Sequence, residues 1–103
     1  MMSEKELQVQ VQNFLAAHGY KYFHIPADAR YRILAGFLDL CIIGHGQQFW
    51  IELKSPMRKI VKLREKQQEF CDILAKNEIA FFVSNDLDEI CDFILVQKKK
   101  KKR

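Results

Sequence analysis

Leu7, Val11, Phe14 and Leu15 recur at helical spacing between Glu4 and His18 and mark one apolar stripe, which Gly19 then stops. Lys21 to Ile25 reads as a short strand closed by Pro26. The segment up to Gly36 is a polar-aromatic loop with weak periodicity. Phe37 to Ile43 and Gln48 to Lys54 read as two strands around Gly44-His45-Gly46-Gln47. Ile60, Leu63, Phe70, Cys71 and Leu74 mark a second helix, and Ile79 to Val83 has the character of a buried strand. Asp86 to Leu95 forms a last helix with Asn85 or Asp86 as its cap. The predicted order is α-β-β-β-α-β-α, an α/β (α+β) arrangement with a mixed central sheet flanked by helices.

Length and composition narrow this picture. The 103 residues suit one small domain, and 49% hydrophobic with 29% charged residues is the profile of a folded chain. No apolar run reaches the ~20 residues of a membrane helix. The charged start Met1-Met2-Ser3-Glu4-Lys5-Glu6 lacks the apolar core of a secretory signal. A cytoplasmic protein is expected, with Cys41, Cys71 and Cys91 reduced: they lie 30 and 20 residues apart and form no CxxC pair.

Charge is unevenly placed. The net charge is +4, but Lys98 to Arg103 carry six of the 17 basic side chains. The body, residues 1–97, therefore has 11 basic against 13 acidic residues and is slightly acidic. Residues 98–103 are expected to be a disordered basic tail in which Lys98, Lys99 and Lys100 attract phosphate; a merely solvated end is the alternative.

The stretch from Phe37 to Pro56 raises a specific question, because Asp39 and Glu52 interrupt two otherwise apolar strands. A two-residue His45-Gly46 turn pairs Ile43 with Gln48, Cys41 with Trp50, and Asp39 with Glu52. Lys54, two residues beyond Glu52, shares their face. Leu38, Leu40, Ile42, Phe49, Ile51 and Leu53 fill the opposite face. Like charges directly opposite each other destabilise a sheet. A divalent cation reverses that sign, since carboxylate oxygens are natural ligands of Mg²⁺ or Mn²⁺, and a nearby ammonium can position or activate a water. The plainer alternative has both acids facing solvent with Lys54 as an ion-pair partner.

Two helical residues point toward the same place. Glu4 lies near the centre of the first helix's stripe and can reach inward, whereas Glu6 falls on the solvent side. Gln67 sits mid-stripe on the second helix, with Gln68 beside it. A macrodipole-favoured acid is the alternative for Glu4, and a strand-edge cap for Gln67. Trp50 shares the face of Glu52 and Lys54 and either packs under a helix or touches DNA. Arg30, Tyr31 and Arg32 precede the acidic pair, where they can meet phosphates and bases or remain solvated. His18 reads as a core or interface residue and His45 as solvated in its turn. His24 has no ligand-type neighbour at metal-ligand spacing in the sequence.

Glu4-x-x-Leu7-Gln8, Gly36-x-x-Asp39-Leu40, Ile51-Glu52-Leu53-Lys54, Glu65-Lys66-Gln67 and a strand ending Val83-Ser84 follow one another in the order of a known family. The series resembles the VRR-NUC (virus-type replication-repair nuclease) domain of the PD-(D/E)xK superfamily from about Glu4 to Ile94. Leu38 stands where that family usually has proline before the acid. The resemblance implies a restriction-endonuclease-like core and a Mg²⁺- or Mn²⁺-dependent endodeoxyribonuclease, with no organic cofactor. Asp39, Glu52 and the Leu53 carbonyl would be metal ligands, and Lys54 would handle the attacking water. Glu4 and Gln67 would be an accessory acid and amide. It further implies a homodimer acting on DNA, favouring branched substrates such as four-way (Holliday) junctions, and two-fold symmetry would suit paired cuts. The exposed apolar surface expected for pairing includes the Phe81-Phe82 strand and Ile90 and Phe93. The alternatives are a catalytically silent nucleic-acid-binding or dimerisation module, and a flap- or restriction-type nuclease.

Overall fold

The computed structural model describes residues 2–26 and 36–100. Among them run helix α1 (Glu4–Ala17), strands β1 (Lys21–His24), β2 (Leu40–Gly44) and β3 (Gln47–Leu53), helix α2 (Glu65–Lys76), strand β4 (Ala80–Ser84) and helix α3 (Leu87–Lys99). The order is the expected one. Arg30, Tyr31 and Arg32 lie outside the described residues.

The sheet runs β1-β2-β3-β4. β1, β2 and β3 form an antiparallel meander, whereas β4 lies parallel to β3. A parallel neighbour requires a crossover, and α2 supplies it. β3 is therefore covered on both faces, and all five residues from Phe49 to Leu53 are buried.

Two clusters fill the two sides. On one, Leu40, Ile42, Phe49, Ile51 and Leu53 pack against Leu7, Val11 and Leu15 of α1 and Ile90 and Ile94 of α3. On the other, Trp50 and Leu38 pack with Cys71 and Leu74 of α2, with Phe37, Phe70 and Phe81 closing the edges. Trp50 thus lies under a helix, edge-on to the rings of Phe37 and Phe70. Leu38 departs from its expected face. The alternation of β2 begins only at Leu40, and the chain before it follows a turn at Gly36 rather than a strand.

The local signals explain most boundaries. Ser3 caps α1: its hydroxyl accepts from the Glu6 N–H while its own N–H donates to the Glu6 carboxylate. His45 and Gly46 both have positive φ, 52° and 74°, as a type I′ hairpin turn requires. Asp86, one of the two expected caps, accepts from the Glu89 N–H and starts α3.

Three expectations need correction. The second helix begins at Glu65, so Ile60 and Leu63 precede it; Leu63 tucks against the Trp50 cluster, whereas Ile60 is 76% exposed. Pro56 and the adjacent β-branched pair Ile60-Val61 favour irregular chain there. The last helix continues through Lys98 and Lys99, so the basic run starts within its final turn, where cations complement the dipole. Finally, the apolar groups expected for pairing are largely engaged within the fold, Phe81, Phe82 and Phe93 being half-buried. Ile90 is fully buried, Phe82 stacks on Phe93, and Phe81 packs on the α2 side. No helix among the described residues is long and apolar enough to cross a membrane.

Candidate active site

The β2–β3 pairing has the register inferred from the turn, with Ile43 opposite Gln48 and Cys41 opposite Trp50. The ladder ends at Leu40 and Ile51. One step further, side chains take over from backbone. The Asp39 N–H donates to Glu52 Oε1 at 3.0 Å, and the Leu53 N–H donates to Asp39 Oδ2 at 2.7 Å. Each carboxylate thus caps a backbone donor of the opposite strand where the sheet splays open. This exchange explains how two acids tolerate adjacency, and both are buried, at 5% and 3% exposure. The solvent-facing alternative does not hold.

Gly36 sets the approach of Asp39. Its φ is +92°, and a Cβ there would stand 2.5 Å from the Lys66 carbonyl oxygen. Only glycine permits that contact and that backbone angle. The chain entering β2 is thereby held against the first turn of α2, the turn that carries Gln67.

Gln67 is 1% exposed and joins three elements. Its Nε2 donates to Glu52 Oε2 at 2.8 Å, and its Oε1 accepts from the Arg64 N–H at 3.1 Å and from Lys54 Nζ at 3.3 Å. Lys54 Nζ also lies 3.0 Å from Glu52 Oε2. Asp39, Glu52, Lys54 and Gln67 therefore form one connected polar group beneath the N-terminus of α2, as the sheet-face argument anticipated for the first three. Gln68 is exposed and bonds to Asp72 instead.

Glu4 does not join them. It occupies the first helical position after the Ser3 cap and is exposed, in keeping with the macrodipole alternative. Among the described residues no cluster of three or more His, Cys, Asp or Glu is arranged to hold a metal. Among the described residues the site holds two carboxylates. Its oxygen-only donor set still fits Mg²⁺ or Mn²⁺, because Mg²⁺ is usually held by one or two carboxylates and keeps several waters. Asp39 and Glu52 also set two carboxylates side by side in a buried place, and a divalent cation would offset their repulsion.

Lys98, Lys99 and Lys100 lie elsewhere, and residues 101–103 are outside the described ones. The Lys100 carbonyl accepts from the side chain of Gln47, the first residue of β3. That is five residues from Glu52, about 17 Å along a strand. Lys98 Nζ lies 3.1 Å from His18 Nδ1, so Lys98 has a local partner. His45, expected to be solvated, places Nε2 2.8 Å from the His18 carbonyl and its ring against Tyr20. Burial pushes the thiols of Cys41, Cys71 and Cys91 up, so none is an activated nucleophile.

Residues flanking the site were missed by periodicity. Between β3 and α2 lie the exposed cations Arg58, Lys59 and Lys62. Asn85, in the β4–α3 connection, donates to the carbonyls of Ser55 at 3.2 Å and Arg58 at 2.8 Å and pins the start of that segment. The charge run was visible in the sequence, but assigning Ile60 and Leu63 to a helix core concealed it. Comparison with known proteins returns no match to a family model, a curated protein or a solved structure, so the functional reading rests on this geometry.

Proposed function

We propose that the protein is a Mg²⁺- or Mn²⁺-dependent endonuclease that hydrolyses phosphodiester bonds of DNA on a restriction-endonuclease-like core. This is the activity implied by the VRR-NUC resemblance. The observation that carries the reading is the buried Asp39–Glu52 pair at the splayed end of the hairpin, with Lys54 and Gln67 bonded into it. A bound metal would supply Lewis-acid polarisation of the phosphoryl oxygen and of water. Asp39, Glu52 and the Leu53 carbonyl are the residues to hold it. Lys54 presents an ammonium beside Glu52, placed to orient the attacking water and to stabilise charge developing on the phosphate. Gln67 keeps both Lys54 and Glu52 in position. Glu4 has no part in this scheme.

Branched DNA as substrate and a two-fold dimer belong to the same proposal. With Phe81, Phe82, Ile90 and Phe93 packed internally, the edge strand β1 is the surface that suits pairing. Tyr22, Phe23 and the neighbouring Ile43 are exposed there. A second reading, a silent nucleic-acid-binding module, draws on the fact that Glu52, Lys54 and Gln67 already satisfy one another.

One experiment separates the two. Plasmid, linear, flap and four-way-junction DNA are incubated with the protein, with and without Mg²⁺ or Mn²⁺, alongside Asp39→Asn. Metal-dependent cutting that the variant lacks supports the nuclease. Binding without cutting in either metal rejects it in favour of the silent module.

A further inference from the structure

The eleven residues 54–64 connect β3 to α2, whereas strand-to-helix connections usually take about 2–6. Their composition is lopsided. Residues 54–66 hold six basic side chains and one acidic one; the remainder of residues 1–97 holds five basic and twelve acidic. The segment therefore carries +5 where the remainder of residues 1–97 carries −7, and it starts two residues after Glu52. Such a concentration focuses the field on a polyanion at that place.

The apolar residues of the connection are equally unusual. Met57 is 67%, Ile60 76% and Val61 37% exposed. Scattered surface apolar groups need no explanation. These three are not scattered: they alternate with Arg58, Lys59 and Lys62 in one segment. That segment is held at both ends. At its start, Ser55 and Arg58 close a turn at 3.0 Å and Asn85 grips both of their carbonyls. At its end, Leu63 is seated by the Trp50 cluster, and the Arg64 N–H donates to Gln67, the amide that also holds Glu52 and Lys54. The apolar tips are thus presented by a loop fastened to the catalytic group itself.

We propose that residues 55–64 are a DNA-opening loop. Arg58, Lys59 and Lys62 bind phosphates flanking the bond to be cut, and Met57 and Ile60 enter between bases as a wedge. Methionine and isoleucine are among the side chains that proteins insert between base steps, with nearby cations holding the backbone. Unstacking costs least where the duplex is already interrupted. The wedge therefore supplies a physical reason for preferring branched over continuous DNA, and to that extent the inference rests on the nuclease reading.

The test uses the full chain and a junction carrying 2-aminopurine beside the branch, in Ca²⁺ to follow binding and in Mg²⁺ or Mn²⁺ to follow cutting. Wild-type protein brightens the probe as the step unstacks. Met57→Ser/Ile60→Ser abolishes the brightening and weakens junction binding by about tenfold, the scale of one lost stacking contact, with its salt dependence unchanged. Arg58→Gln/Lys62→Gln instead flattens the slope of log K against log salt by about 2. All four side chains are exposed, so thermal unfolding stays at the wild-type value.

If wild type cuts but Met57→Ser/Ile60→Ser brightens and cuts as wild type does, the wedge is overturned and the nuclease stands. If wild type opens the junction without cutting in either metal, the loop stands and the nuclease fails. A protein that leaves the probe dark overturns the wedge whatever its activity.

Discussion

Replacing Gln67 by leucine isolates the contribution of the amide that ties the site together. Leucine is close in size and suits a position 1% exposed, so the cavity term is small. The lost bonds are the donation to Glu52, the acceptance from Lys54 and the acceptance from the Arg64 N–H. Bonds to charged groups are each worth roughly 1.5–3 kcal/mol and neutral ones about 1 kcal/mol. Two offsets reduce the sum: Glu52 keeps Lys54 and the Asp39 N–H, and exposed Arg64 lets its N–H turn to water. The expected loss is about 2–3 kcal/mol, or roughly 10–20 °C in the unfolding midpoint for a domain of this size. Thermal unfolding followed by circular dichroism measures it directly. Gln67→Glu supplies the contrast. It keeps the acceptors but sets a third carboxylate beside Glu52, so its midpoint should fall in EDTA and recover in part with Mg²⁺. A Gln67→Leu midpoint within about 2 °C of wild type would show that the amide is incidental, and the reasoning that links α2 to the acidic pair would fail.

Lys54→Ala should bind DNA and Mn²⁺ like wild type yet lose hydrolysis by about 100-fold or more, as expected of a group acting in the chemical step; turnover within a few-fold of wild type would leave Lys54 an ion-pair partner. Asp39→Asn should abolish Mn²⁺ binding in calorimetric titration, and equal affinity in the variant would remove Asp39 as a ligand. Burial raises the folded-state pKa of Cys41, Cys71 and Cys91, with Asp72 and Glu52 adding to the shift at Cys71. Stability linked to these thiols is thus complete below the ordinary thiol range and lost as pH rises through the elevated values; a disulfide-exchange reagent should label the buried Cys71 at neutral pH only on unfolding, and the half-buried Cys41 and Cys91 before it. Sedimentation at micromolar concentration should show a dimer that Phe23→Lys converts to monomer, and a monomeric wild type would reject pairing through β1.

What the sequence made legible follows from which interactions are local. The His45-Gly46 turn dictates hairpin register by itself, so the opposition of Asp39 and Glu52 could be deduced from their distance to the turn. The buried position of Gln67 likewise follows from its place among Phe70, Cys71 and Leu74. Glu4 failed under the same logic, because a stripe marks direction and cannot specify depth: Glu4 is exposed although Leu7, three residues on, is fully buried. Leu38 failed because alternation was extended through a bend where no ladder exists. Ile60 and Leu63 imitated a helical pair although only Leu63 is held by tertiary contacts. The most consequential omission, the loop joining Lys54 to Gln67, has no periodicity to read. Its signal is charge, and charge became meaningful only once the acidic pair was seen beside it.

The end of the hairpin is where these elements meet, and its physics admits buried acids there more readily than within the β2–β3 ladder. Within the ladder, a backbone N–H is occupied by a carbonyl and a buried carboxylate would have no donor. Beyond Leu40 and Ile51 the strands part, freeing the N–H groups of Asp39 and Leu53 for carboxylates. Acids can therefore be buried at this one step at little hydrogen-bonding cost, and Lys54 sets an ammonium 3.0 Å from Glu52 Oε2. On the proposed reading, a divalent cation shared by the two acids would meet a phosphate held by the basic loop of residues 55–64, which starts three residues after Glu52.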